Sequence, residues 1–252
     1  MVTDLVLTRR RRLRTVALVG IDGSGKTTQA RLLAQALRAQ GLPATYRRNA
    51  GGRRWFGRLA AAFGRRDAEA LLGRRLMLAV ESLLRWLAIL DTRLRRRVTG
   101  DISVMDRYAV CQYASLRARG ASPRAERRAR LAYRVFPRPD VTFLLTVDPA
   151  VAYERIEARG YDHEEMAFLR AAADAYRSLP EHDDFVVIDA NRSPDEVAAA
   201  LSAALDAWQN RPGPAPAPRL PAVVAGTRAV VLAAGPLAAG AAAVGHQLTD
   251  VL

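Results

Sequence analysis

The chain has 252 residues, half of them apolar, and a net charge of +14; that length holds one α/β domain with a full core and leaves a short remainder. A single cysteine, Cys111, excludes an internal disulfide framework and suits a reducing cytoplasm. Met1 to Arg14 is basic, but the apolar run behind it reads as a strand and no small-residue cleavage site follows, so no secretory signal is expected.

In chain order, apolar runs at 15–19, 44–47, 102–105, 141–147 and 184–188 predict five strands. Helical periodicity predicts helices over 26–40, 67–98, 108–119, 123–135, 149–159, 163–178 and 194–209. Strands alternating with helices imply a parallel sheet covered on both faces. Asp148-Pro149 and Ser193-Pro194 are helix starts, each a polar cap before a proline at the first helical position. The prolines between Pro212 and Pro218 then break the pattern. The expected organisation is a basic arm over 1–14, a folded domain over 15–210, and a Pro/Ala-rich linker and Ala/Gly-rich tail over 211–252. The uncharged stretch from Ala229 to Gly245 is slightly short and weakly apolar for a spanning helix, so a loose tail is expected there in preference to a membrane anchor.

Between the first strand and the first helix stands Gly20-Ile-Asp-Gly-Ser-Gly-Lys-Thr27, which fits the phosphate-cradling pattern G-x-x-x-x-G-K-[ST]. Lys26 is the only lysine among 39 cationic residues. A compact ammonium sits between β- and γ-phosphates where a planar guanidinium does not fit. Gly20, Ile21, Asp22, Gly23, Ser24, Gly25, Lys26, Thr27 and Thr28 are therefore expected to hold the phosphates of a nucleotide, with the positive end of the helix facing them; the resemblance stated below makes that nucleotide ATP. Thr27 offers a hydroxyl to Mg²⁺.

At the end of the third strand come Asp106 and Arg107, and the carboxyl ends of strands in an open parallel sheet are where ligands bind. Asp106 is a candidate Mg²⁺ ligand and Arg107 a candidate grip on a second substrate's phosphate. Arg155 and Arg159, four apart on the predicted helix 149–159, either neutralise charge on a moving phosphoryl group or are solvated arginines pairing with Glu154 and Glu157. The positive charge lies in the first half: 31 Lys and Arg face 9 Asp and Glu up to residue 139, against 5 and 15 over 140–206. The basic clusters Arg9 to Arg12, Arg65-Arg66 and Arg95 to Arg97 lack interleaved aromatics, so small phosphate ligands are expected in preference to nucleic acid.

The segments GIDGSGKTTQ, MDRY, FLLTVDPAVAYERIEARG, Phe168 to Tyr176 and VVIDAN, in that order and spacing, resemble the thymidylate kinase family over about residues 14–208. The resemblance implies an α/β P-loop NTPase three-layer sandwich with a five-stranded parallel sheet. It implies transfer of the ATP γ-phosphoryl group, with Mg²⁺, to a nucleoside monophosphate, dTMP by default. It assigns Lys26, Arg107, Arg155 and Arg159 to catalysis, the two lid arginines because Ser24 leaves the loop without a basic residue of its own. Asp22, Arg48 and Arg107 fall on positions that hold the acceptor, and Thr27 and Asp106 on the metal side. A homodimer through helices flanking the sheet is also implied, for which Leu83, Leu87 and Leu90 are either an interface or internal core.

The departures concentrate on the acceptor side. Asn49-Ala50 replaces the family's Glu-Pro. The family's base-stacking phenylalanine and the arginine four residues after it fall nearest Leu78 and Ser82, with Arg85 as a substitute for that arginine. Cys111, Gln112 and Ser115 fall where the family has serine and tyrosine, making Gln112 a candidate base contact, and the lid between Arg159 and Phe168 is several residues short. Other readings left open are a P-loop kinase of another nucleotide, nucleoside or small metabolite, and a non-catalytic nucleotide-binding regulatory module.

Overall fold

The computed structural model describes residues 11–49, 74–160 and 164–211. The predicted helix start at 67–73, Ala50, part of the short lid and the tail lie outside the described residues. Strands β1 (Thr15–Val19), β2 (Ala44–Arg48), β3 (Ile102–Asp106), β4 (Val141–Thr146) and β5 (Val186–Asp189) form one parallel sheet in the order β2-β3-β1-β4-β5. The helices are α1 (Lys26–Ala39), α2 (Arg74–Thr99), α3 (Ala109–Ala118), α4 (Pro123–Tyr133), α5 (Pro149–Glu157), α6 (Met166–Arg177) and α7 (Pro194–Asn210). The last strand begins two residues later than expected because a 3-10 turn, His182–Asp184, takes up the residues before it.

This order makes the connection leaving β1 run one way along the sheet and those leaving β2, β3 and β4 run the other. Crossovers of the same hand that run in opposite directions lie on opposite faces, which gives the three layers. α1 packs with α7 on one face, and α2 packs with α3 and α3 with α6 on the other. The crevice where the direction reverses lies outside the carboxyl ends of β1 and β3. The register puts Arg48 beside Asp106 and Leu18 beside Asp106 on the other side, so residues at these strand ends share one edge.

β1, β3 and β4 carry near-continuous apolar side chains because both their faces are covered; Val16, Leu18, Val104, Phe143 and Leu145 are all buried. Arg11 to Arg14 join this body: Leu13 is in the core, Arg11 sits over the Trp208 ring, and Asp140 accepts from the backbone N–H groups of Arg14 and Thr15. Ser122, Asp148 and Ser193 cap α4, α5 and α7 with their side chains, each followed by proline, and Glu196 completes a capping box at α7.

A charged network ties α3, α4 and the turn after α6. Glu126 accepts from Arg117 and Arg130, and Arg130 also reaches Glu181 while standing over the Tyr113 ring. Burial raises the Glu126 carboxyl, but the bonds from Arg117 and Arg130 outweigh it and hold it below the usual range. The folded protein therefore binds this proton less readily than the unfolded chain, so the stabilisation is present at neutral pH and lost on acidification. Glu126→Gln is expected to cost about 1–2 kcal/mol at pH 7 and distinctly less at pH 4, measured by urea denaturation at the two pH values.

Candidate active site

The loop from Gly20 to Gly25 joins β1 to α1 at the crevice. Gly23 has φ of 82°, and a Cβ there would come 2.4 Å from the Ala152 carbonyl oxygen and 2.8 Å from Ala152 Cα. That contact is backbone on α5, which cannot swing aside. Gly25 has φ of 83° but open space around it. Gly23→Ala should destabilise the domain by about 2–4 kcal/mol and weaken ATP binding, whereas Gly25→Ala should cost only about 1–2 kcal/mol for the left-handed backbone. Denaturant melts of the two variants check the difference.

Gly25 caps α1 without a side-chain hydrogen bond, unlike the residues that begin α4, α5 and α7. The first N–H groups of α1 thus remain available to an anion, reinforced by the helix dipole. Lys26 is 4% exposed and donates to the Ile21 carbonyl and, at 3.3 Å, to Ser24 Oγ; its Nζ is 3.7 Å from Asp22 Oδ1. Burial, with Arg107 adding to it, pushes the Lys26 ammonium down to about 8 against the opposing pull of Asp22 and Asp106. A triphosphate bound here would add negative charge beside this buried cation, which already has Asp22 within ion-pair distance.

Arg107 is the one non-glycine described residue with positive φ, 78°. This turn lets its Nη2 donate to Asp22 Oδ1 while its backbone N–H bonds the Leu18 carbonyl at 3.0 Å. Burial would raise the Asp22 carboxyl, but Arg107 and Lys26 together hold it well below the usual carboxylate range. One carboxylate therefore gathers a cation from the glycine loop and a cation from the end of β3. Asp106 Oδ2 accepts from Thr27 Oγ1 at 2.6 Å and from the Tyr46 hydroxyl at 3.2 Å, while its buried Oδ1 has no partner. An unpartnered carboxylate oxygen beside a hydroxyl suits a hard cation. Among the described residues no three His, Cys, Asp or Glu side chains converge as a cage, so such a cation would take its remaining ligands from phosphate and water.

Arg48 is exposed at the end of β2, in register with Asp106. Asn49 follows it, fully buried, with neither amide atom partnered. The lid arginines differ from expectation. α5 stops at Glu157, so Arg159 is exposed in the turn beyond it and does not continue the helical face of Arg155. Arg155 Nη1 donates at 2.9 Å to the carbonyl of Ala190, just after β5. It thereby bridges α5 to the loop that leads into α7.

Leu78 packs against the core and the Ser82 carbonyl accepts from the Tyr133 hydroxyl at 2.7 Å. The buried polar pair on α2 is instead Glu81 and Arg85, 2% and 5% exposed, with Arg85 Nη2 donating to Glu81 Oε1. Glu81 went unnoticed in the sequence; the signal available was a carboxylate four residues before an arginine on the apolar face of an amphipathic helix. Gln112 on α3 is fully buried, and Cys111 is buried beside it. Leu83 and Leu87 are exposed, at 56% and 44%, and Leu90 packs partly against the core.

A parallel sheet with a glycine loop leading into a helix, a buried lysine and a facing arginine is the architecture of a P-loop phosphotransferase. A thymidylate kinase family model matches residues 18–201. Similar proteins include a probable thymidylate kinase of Pyrobaculum aerophilum, 32% identical over 74% of this chain and 93% of its own. The thymidylate kinase of Thiobacillus denitrificans is 32% identical over the same shares, and a probable thymidylate kinase of Archaeoglobus fulgidus is 28% identical over 77% of this chain and 96% of its own. The chain belongs to the thymidylate kinase family.

Proposed function

We propose that this protein transfers the γ-phosphoryl group of ATP to dTMP, giving dTDP and ADP. The observation that carries the reading is the convergence of Lys26 and Arg107 on Asp22, which sets a donor-side and an acceptor-side cation next to each other at the crevice. The names of the similar proteins supply the acceptor. A phosphate oxygen of dTMP attacks the γ-phosphorus, the bond to the β-phosphate bridging oxygen breaks, and ADP leaves with those electrons. Little covalent work falls to the protein in such a transfer; positioning and charge stabilisation do most of it.

Gly20 to Thr28 bind the triphosphate through backbone N–H groups, and Lys26 follows the phosphoryl group as it moves. Thr27 and Asp106 would hold Mg²⁺, which neutralises charge on the β- and γ-oxygens when bound. Arg107 and Arg48 take the acceptor phosphate, Asp22 the sugar hydroxyl, and Arg85 and Gln112 the base. Arg155 steadies the nucleotide end of the site through Ala190, and Arg159 serves as the arginine that reaches over the phosphates. The test is ADP release from purified protein with ATP, Mg²⁺ and a panel of acceptors. Turnover with dTMP is expected; turnover only with some other nucleotide or metabolite, or with none, rejects the reading.

Leu76, Leu83, Leu87 and Leu94, all at least 44% exposed, recur at intervals of seven and four along α2, which places them on one stripe facing away from the core. We assign this stripe to a homodimer contact between two copies of α2. Light scattering should give twice the mass of 27.5 kDa, and Leu87→Arg should return it to the monomer value. Among the described residues no helix is long and apolar enough to cross a membrane. The buried, unpaired Cys111 supports a cytoplasmic protein, with the basic half serving ATP and acceptor phosphates in place of nucleic acid.

A further inference from the structure

Hydroxyls from separate elements meet on one carboxylate oxygen at the crevice. Asp106 Oδ2 accepts from Thr27 Oγ1 at 2.6 Å and from the Tyr46 hydroxyl at 3.2 Å, while Oδ1 is buried and has no partner. Thr27 lies in the first turn of α1, at the end of the glycine loop. Tyr46 comes from β2, outside the Gly20 to Thr28 cradle.

The fold aims this phenol. In the parallel register Tyr46 pairs with Val104 and Arg48 with Asp106, so Tyr46 and Asp106 share one face of the sheet. The Tyr46 ring packs against the core, with the Arg31 guanidinium of α1 standing over it at 5.2 Å from its centre. Held from both sides, the ring keeps its hydroxyl at Oδ2. The Asp106 main chain is pinned as well, its carbonyl accepting from the Asn49 N–H at 3.0 Å. Burial and the Asp106 carboxylate hold the Tyr46 hydroxyl above its usual pKa against Arg31 and Arg48, so at neutral pH the phenol is the donor.

A carboxylate free to rotate can offer a cation either oxygen or neither. Donors converging on Oδ2 settle the choice, because they leave the lone pairs of Oδ1 uncommitted. Thr27 alone would do this less firmly, since its hydroxyl is itself a candidate metal ligand. Phenylalanine at 46 would fill the same space without supplying the proton.

We propose that Tyr46 is the positioning residue of the metal side, fixing the Asp106 carboxylate through Oδ2 so that Oδ1 is presented to Mg²⁺ or to a water bound to it. This rests on the kinase reading above for Asp106 as a metal ligand, and adds to it a residue that acts through that carboxylate.

The experiment reads the metal apart from catalysis. Full-length wild type, Tyr46→Phe, Asp106→Asn and the double variant are each held in excess over a non-hydrolysable ATP analogue. Mn²⁺ is titrated in, and the free ion is followed by electron paramagnetic resonance. Tyr46→Phe should raise the Kd for Mn²⁺ about 10-fold or more, as loss of a group that orients a metal ligand does. The Kd of the analogue in EDTA should stay within about twofold of wild type, because the cradle is untouched. In the Asp106→Asn background, where Thr27 and the phosphates still hold the ion, Tyr46→Phe should move the Mn²⁺ Kd by less than about twofold, its route to the metal being gone. The Mg²⁺ concentration giving half-maximal ADP formation with dTMP should rise by the same factor as the Mn²⁺ Kd, with the KM for dTMP unchanged. A Mn²⁺ Kd that stays at the wild-type value in Tyr46→Phe overturns the proposal even if the melting temperature falls, since that is what a merely structural hydroxyl would do. So does a loss of the same size in the Asp106→Asn background, a loss shared by the analogue in EDTA, or a wild type that takes up no Mn²⁺ with the analogue. The titration contains no acceptor. A Mn²⁺ shift without turnover of any nucleoside monophosphate therefore rejects the kinase reading and leaves Tyr46 in its role, whereas turnover of dTMP without the shift does the reverse.

Discussion

Lys26→Ala is expected to lower kcat by about three orders of magnitude or more while leaving the fold in place, the largest effect of any single change in this chain. The ammonium is held at 4% exposure by the Ile21 carbonyl and Ser24, on the first residue of α1, so it is already aimed before nucleotide arrives. No other cation can stand in, because the chain's remaining 38 positive residues are all arginine, whose planar fork does not enter the cradle. Lys26→Arg should therefore be nearly as inactive as Lys26→Ala. Stability should hold or rise, since burial already pushes this ammonium down to about 8 and its removal ends that cost. Rate of ADP formation with dTMP, alongside a thermal melt, checks both statements. A variant that keeps more than about a tenth of wild-type kcat would overturn the assignment of Lys26 to the transferred phosphoryl group.

How much of this was legible beforehand differs from element to element. The strands were readable because parallel strands buried on both faces are written as unbroken apolar runs, as in Val141–Thr146. Helix starts at Ser193-Pro194 and Asp148-Pro149 were readable because capping is local chemistry. The glycine loop needs a fixed spacing of small residues around one lysine, so it too is visible one residue at a time. Glu81 is different. Its meaning depends on α2 turning that face inward, and an i, i+4 acid and arginine on a helix reads as a solvated pair until burial is known. Arg155 was singled out, but its contact escaped for a related reason: its partner is a backbone carbonyl 35 positions away, and carbonyls leave no trace in composition. The stop of α5 at Glu157, which separates Arg159 from Arg155, is likewise a boundary that periodicity cannot place to the residue.

Arg107→Ala is expected to reduce kcat/KM for dTMP by about 100- to 10,000-fold with a much smaller change in stability. The side chain is one-quarter exposed and bonded to Asp22 through Nη2; a guanidinium has five N–H donors, so it can keep Asp22 and still grip an acceptor phosphate. Its removal would leave the Asp22 carboxylate with Lys26 as its remaining cation at ion-pair distance, drawing the ammonium toward the wrong anion. The backbone supplies a second, independent readout. Arg107 is held at φ of 78°, a conformation that costs a side-chain-bearing residue about 1–2 kcal/mol and costs glycine almost nothing. Arg107→Gly should therefore be at least as stable as Arg107→Ala in denaturant, while both are equally poor with dTMP. If the charge is what matters, relieving the backbone restores no activity. Recovery of transfer in Arg107→Gly over Arg107→Ala would instead make the turn at the end of β3, and not the guanidinium, the feature on which acceptor binding depends.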